Sequence, residues 1–372
     1  MSGLDDILAG YESQRAGQEA FYKDLHLHPE LSHAEHRTAR RVARQLKDSG
    51  FTIASGIGGT GVAGVLANGG GPAVLLRCEL DALPLREATG APYASTVTAS
   101  DASGREVPVD HACGHDMHMA CMTGMATLMA ARRDRWHGML ITLFQPAEGT
   151  GEGAQDMVDD GLFKRIPVPD VALAQHLLPG IAGTGATCPG PFMSATDSIR
   201  VTVHGRGGHG SMPQHTIDPV VLAAMIIVRL QTIVSREVAP GDTAVVTVGS
   251  CHAGTRSNVI PDFAVLELNV RSYSSATRQR MLGAAATERV ARAFAAHVAD
   301  RATEIPKQTV SEDFSKIPDA VGAPYCYWGF GFTDRTPTWR PRRTGTWRIC
   351  PPTTRRGSWP PLQPTCGPAP RR

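Results

Sequence analysis

At 372 residues the chain is longer than one hydrophobic core usually serves, and 42% hydrophobic with 19% charged side chains excludes a fibrous or wholly disordered protein. A formal net charge of +2 excludes strong general attraction to nucleic acid or membrane, and no apolar run is expected to approach the ~20 residues that span a bilayer. The average hides a split: residues 333–372 hold nine Arg, nine Pro and one acidic residue (Asp334), a formal +8, which leaves −6 on residues 1–332.

The N-terminus, MSGLDDILAGYESQ, lacks the basic start and apolar stretch of an export signal. Eight scattered cysteines in such a chain predict reduced thiols and a cytoplasmic location. Ser32 followed by Glu35 has capping-box spacing, and predicts a helix over 32–49 that closes near Gly50. Short apolar runs at 62–67, 73–78, 139–144 and 171–175 predict strands, with an Ala/Met-rich helix over 116–132 between the second and third. That alternation predicts a largely parallel sheet covered by helices.

Near residue 190 the pattern changes. Ile199, Val201 and Val203 alternate with polar residues. Asp218-Pro219 opens an apolar helix running to about Arg236, with Asp as N-cap. Alternating strands over 244–248 and 264–270 follow, then a helical pattern over 275–299 with no strand behind it. This predicts an inserted, ferredoxin-like second α+β domain that lacks its last strand and leaves its third strand with an unpaired edge. The expected domains are a first domain from 1–190 and 286–332, an inserted one over 191–285, and a Pro/Arg-rich tail over 333–372. The tail has neither helical nor strand periodicity and is expected to be disordered, either as a natural basic tail or, the preferred reading, as translation out of frame from GC-rich DNA.

The densest polar cluster is Asp110-His111-Ala112-Cys113-Gly114-His115-Asp116-Met117-His118. Cys113 and His115 stand just before a helix, whose N-terminus favours a thiolate, and thiolate with imidazole suits zinc or a similar cation. His111 and His118 are expected to be structural or to support the ligands. Glu79 and Asp81, Glu148, and His176 each follow a predicted strand, so their side chains collect at one edge of the sheet, where open α/β sheets bind ligands.

Seven segments now resemble one family: HPELSHAEH (28–36), LRCELDALPLRE (76–87), DHACGHDMHMA (110–120), FQPAEGTGEGA (144–154), GRGGHGSMP (205–213), GTRSNVIPD (254–262) and SEDF (311–314). The chain is similar to the metallopeptidases and amidohydrolases that include hippurate hydrolase, N-acyl-amino-acid amidohydrolases and indole-acetyl-amino-acid hydrolases. The resemblance implies a zinc-peptidase-like catalytic domain with two divalent metals (zinc or manganese), a lid that forms a homodimer, and hydrolysis of the amide of a small N-acyl amino acid. It implies Cys113 as bridging ligand, His115 and His176 as further ligands, Glu148 as general base and Asp81 as the carboxylate orienting a ligand. His209 corresponds to a lid histidine that meets the oxyanion, and Arg256 and Asn258 to the lid segment that contacts substrate. No nucleic-acid or membrane partner is implied.

Two departures bear on metal. The family's ligand after Glu148 is a second Glu, and here it is Gly149; its C-terminal ligand is a His, and this chain has none after His297. Glu79 stands where the family usually has Asp. The expectation is therefore one metal or fewer and impaired turnover, against the alternative of an inactive binding or dimerisation protein or a damaged gene product. Glu35 is expected to be structural, explained by the capping box.

Overall fold

The computed structural model describes residues 3–188, 193–237, 244–272, 302–304 and 308–333. The helix expected over 275–299 and the tail beyond Thr333 lie outside the described residues. The described chain divides into two units: one from 3–188, 302–304 and 313–333, the other from 193–237, 244–272 and 308–312.

The elements used below are α1 (Tyr11–His26), α2 (His36–Asp48), β1 (Thr52–Ile57), β2 (Gly61–Asn68), β3 (Ala73–Glu79), α3 (His115–Ala131), β4 (Gly138–Gln145), α4 (Gly153–Asp159), β5 (Val171–Ile181) and β6 (Gly185–Thr187). There follow β7 (Met193–His204), α5 (Pro219–Thr232), β8 (Ala244–Ala253), β9 (Phe263–Ser272), β10 (Ala302–Glu304), β11 (Gln308–Ser311) and β12 (Tyr325–Thr333).

In the first unit an eight-stranded sheet runs β1-β2-β4-β3-β5-β12-β6-β10. The pairs β3/β4, β3/β5, β5/β12 and β6/β10 are parallel. The pairs β1/β2, β2/β4 and β6/β12 are antiparallel. One face carries α1, α2 and α3, whose Leu25, Val42, Leu46, Met119 and Ala126 pack on Val62, Leu66, Cys78 and Phe144. Continuous burial explains why β4 reads as an unbroken apolar run rather than an alternating one. Because β3, β4 and β5 run parallel, the residues that follow or end them come out at one rim. This is the α/β fold expected.

The capping box does not form. Helix α2 starts at His36, and its N-cap residue Glu35 makes no side-chain cap bond. Ser32 Oγ instead donates to Asp81 Oδ2 at 2.7 Å, so the two residues are drawn to the sheet's rim rather than to the helix end.

The second unit is a four-stranded sheet in the order β8-β9-β7-β11, with α5 laid on it. Ala223, Ile226, Ile227 and Leu230 of α5 pack against Val203, Ala264, Leu266 and Leu268. Asp218 caps the helix, accepting from Val220 N at 2.8 Å. Two expectations are corrected here. The third strand, β9, has no open edge, because β8 and β7 flank it on both sides. The fourth position is filled by β11, four residues drawn from beyond the 275–299 stretch and lying parallel to β7. So short a strand, so far along the chain, has no alternating pattern to announce it. The expectation that no apolar run approaches membrane-spanning length is also corrected. Pro219–Arg236 is long and apolar enough by length and composition, although one of its faces covers the lid sheet.

Candidate metal centre

Gly114 holds a left-handed conformation (φ 80°) at the N-cap of α3, and a Cβ there would meet Leu177 Cδ1 at 2.8 Å. Glycine is what lets the Cys113–His115 segment pass this close to β5. His115 is buried, and its Nδ1 lies 2.8 Å from the Asp81 carbonyl oxygen and 3.2 Å from Asp81 Oδ1. Nδ1 therefore donates, so in the neutral ring that would bind a metal the lone pair is on Nε2. That nitrogen is buried without a hydrogen-bond partner, 3.8 Å from Glu148 Oε2. Burial opposes a charge on His115. The hydrogen bond to Asp81 and the charges of Glu79, Asp81 and Glu148 outweigh it and hold the imidazole well above its usual range.

His176 lies beside it on β5, the two rings edge to face with centroids 5.6 Å apart. Its Nδ1 is 2.6 Å from the Leu177 carbonyl, and burial pushes its pKa down to about 3, so the ring is neutral with its lone pair on Nε2. His118 completes a group of three histidines whose ligating atoms lie within 4.8 Å of one another. Its two nitrogens are already engaged: Nδ1 with Glu79 Oε2 at 2.7 Å, and Nε2 accepting from Leu177 N at 3.0 Å. His118 thus holds the part of β5 that carries His176, and Glu79 fixes its tautomer, an arrangement typical of residues that support metal ligands.

Cys113 is half-buried, and the charges bearing on its thiol are those of His115, Glu148, Asp81 and Glu79. Burial pushes the thiol up, against the opposing charge of His115. A cation at the site would reverse that balance. The fit to a divalent metal rests on His115 Nε2. A buried acceptor without a partner costs about 1–3 kcal/mol, and a bound cation would satisfy it. The neutral imidazole of His176 beside it is a donor zinc takes, while the Cys113 thiol feels the charge of His115 but is not among the ligating atoms that converge within 4.8 Å.

Glu148 follows β4 on a turn with backbone strain. Ala147 is fully buried with φ 49°, a left-handed conformation rare for a residue with a Cβ. Glu35 holds that turn: its buried carboxylate accepts Ala147 N at 2.8 Å and Thr60 Oγ1 at 2.6 Å, as well as His33 N at 3.1 Å. Glu35 is therefore a clamp on the segment bearing Glu148, which a local capping pattern could not reveal. Asp81 receives Gly149 N at 2.8 Å and Ser32 Oγ on Oδ2. Burial resists its ionisation, yet the bonds from His115, Gly149 and Ser32 hold its pKa down at about 2.

A second support runs beneath. Arg77 is fully buried, pairs with Glu79, and donates to Gln145 Oε1 at 2.8 Å and Asp313 Oδ1 at 3.1 Å. Asp313 also accepts Gln145 Nε2 at 2.6 Å and Ala154 N at 3.0 Å, so it grips both ends of the segment around Glu148. The trace of this in the sequence is an arginine inside the apolar run of β3, since a buried charge needs partners.

The lid residues gather within their own unit. His209 pairs with Val259 on a two-residue ladder and is exposed, its Nδ1 2.8 Å from Ser211 Oγ. Gly210 N donates to Asn258 O at 2.8 Å, so Asn258 lies next to His209. Arg256 lines an open groove of about 470 Å³ with Asp218, Gly254, Ser257 and Pro261.

Residues 75–340 match peptidase family M20/M25/M40. The chain belongs to this family. It is 40% identical over 276 residues to N-acetyl-L-cysteine deacetylase of Bacillus subtilis, covering 73% of this chain and 64% of that protein. It is 39% identical over 263 residues to hippurate hydrolase of Campylobacter jejuni, covering 70% and 66%. The M20 chain thus spans just under two thirds of the length of these relatives. Among solved structures it is similar to the YXEP protein of Bacillus subtilis, described as a dinuclear metal-binding peptidase of the M20 family. That likeness has a TM-score of 0.66 and 26% identity over 91% of this chain and 93% of the other.

Proposed function

We propose that this M20 chain hydrolyses the amide of N-acyl amino acids, with His115, His176 and Cys113 as metal ligands. The observation that carries the reading is the buried, partnerless Nε2 of His115, 3.8 Å from the carboxylate of Glu148. A divalent metal bound there supplies Lewis acidity, lowering the pKa of water from near 16 to about 7. Glu148 takes the proton of the attacking water and passes it to the leaving amine, a step worth about 10²–10⁴ in rate. Asp81 fixes the His115 ring through its carbonyl, and Glu35 and Asp313 fix the turn on which Glu148 stands. His209, Arg256 and Asn258 of the second unit are proposed as substrate-binding residues. The metal is zinc or manganese. Gly149 offers no donor side chain, so we infer one ion rather than two and slow turnover. The second unit is proposed to form a homodimer through α5.

Protein loaded with zinc or manganese and given hippurate or N-acetylcysteine should show slow hydrolysis, and Glu148→Gln should lower the rate by about 10²–10⁴ while leaving bound metal unchanged. Turnover unaffected by Glu148→Gln would overturn the assignment of the base. Gly149 favours one alternative, an inactive homologue that binds acyl amino acids. Tight binding of hippurate without any turnover by the metal-loaded chain would establish it.

A further inference from the structure

A second group of ligating atoms converges in the first unit, where His26, Glu87 and Asp110 bring theirs within 4.8 Å of one another. His26 ends α1, Glu87 lies in the segment after β3, and Asp110 precedes the Cys113 loop. All three are held in place. His26 Nδ1 is 2.6 Å from Asp116 Oδ2, and its Nε2 is 3.2 Å from Glu87 Oε1. Glu87 accepts from Thr89 Oγ1 and from Ser95 N. Asp110 is tied by a pair of backbone bonds to Leu83, at 3.0 and 2.9 Å.

The charge of the group is unbalanced. Three carboxylates (Glu87, Asp110 and Asp116) surround one imidazole. Burial first, then the charge of Glu87, pushes Asp110 up to about 6, with His26 pulling the other way. His111 borders the same cluster, and Asp116, His115 and His26 bear on it. It is 4% exposed and neither ring nitrogen has a hydrogen-bond partner. An imidazole whose Nδ1 is bound by one carboxylate, Asp116, and whose Nε2 meets a second, Glu87, with Asp110 in the same group, is an arrangement in which histidine can ligate a metal.

We propose that His26, Glu87 and Asp110 form a further divalent-cation site, suited to zinc or a similar borderline cation, with ligands entirely separate from those at His115. A cation there would take the place of the Nε2 proton of His26 and leave the Asp116 bond intact. It would tie the end of α1 to the segment that carries Cys113 and His115.

The test is zinc stoichiometry and zinc-dependent melting of the full chain after chelation and reloading. Cys113→Ser/His115→Gln/His176→Gln removes all three proposed ligands of the first centre, and this variant should retain about one equivalent of zinc and a zinc-dependent rise in Tm. Adding either Asp110→Asn, which keeps the side chain's size, or His26→Gln should abolish both. Cobalt offers a second readout. Cobalt in the site at His26 has no sulfur ligand, so it should add ligand-field absorption without the thiolate charge-transfer band that Cys113 gives. The proposal is overturned if the Cys113→Ser/His115→Gln/His176→Gln variant binds no zinc. It is equally overturned if Asp110→Asn and His26→Gln leave the residual zinc unchanged. Loss of metal from the Cys113 centre alone bears on the proposed activity and leaves this site standing.

Discussion

At residue 149 a Cβ would lie 3.1 Å from Asp81 Oδ2 and 3.3 Å from Leu83 Cδ2, tight but within reach of a small shift. A carboxylate there would add the donor that the centre lacks, while crowding costs of order 1–3 kcal/mol. Gly149→Glu is therefore expected to bind more zinc than the parent and to melt slightly lower without metal. Gly149→Ala carries the same crowding with no donor, and isolates the effect of the carboxylate. Equal zinc in all three proteins would mean that residue 149 does not face the metal. The residues nearest the chemistry were legible because they sit in one dense motif and at strand ends. Glu35, Arg77 and Asp313 were not, since each acts across at least 68 residues of sequence on partners that only the fold brings near. His118 was set apart from the ligands, and its place beside His115 and His176 and its bond to Glu79 needed coordinates to be seen.

Helix α5 is apolar on two faces. Ala223, Ile226, Ile227 and Leu230 meet the lid sheet, whereas Val221, Met225 and Val228, spaced i, i+4 and i+7, form a second stripe 57%, 65% and 69% exposed. A stripe of that kind on a lid suits a second copy of the same chain. Replacing Val221 and Val228 by Lys should convert a dimer to a monomer in sedimentation, with the far-UV spectrum preserved. A parent protein that sediments as a monomer at every concentration would remove the basis for the dimer. The elements themselves were largely readable: buried parallel strands as unbroken apolar runs, lid strands as alternation, α5 from its Asp218-Pro219 start. What escaped was set by pairing. Strand β11 has four residues and no pattern, and it becomes a strand only because β7 offers an edge.

Across the whole molecule, the apolar cluster against the eight-stranded sheet and the one beneath α5 have no residue in common. Every residue assigned here to metal (Cys113, His115, His176, and His26, Glu87, Asp110) belongs to the first unit. A ligand stabilises what it binds by mass action, about 2.7 kcal/mol at a hundredfold excess over Kd. That stabilisation reaches the second unit only if the two unfold as one. The sequence supplies a means of telling them apart, because all five tryptophans lie outside 191–278 and 306–312. Zinc should therefore raise the unfolding midpoint followed by tryptophan fluorescence. The far-UV signal, to which both units contribute, should keep a component that zinc does not move. If the two signals superpose with and without zinc, the units unfold as one, and metal at the rim of the first sheet governs the stability of the lid as well.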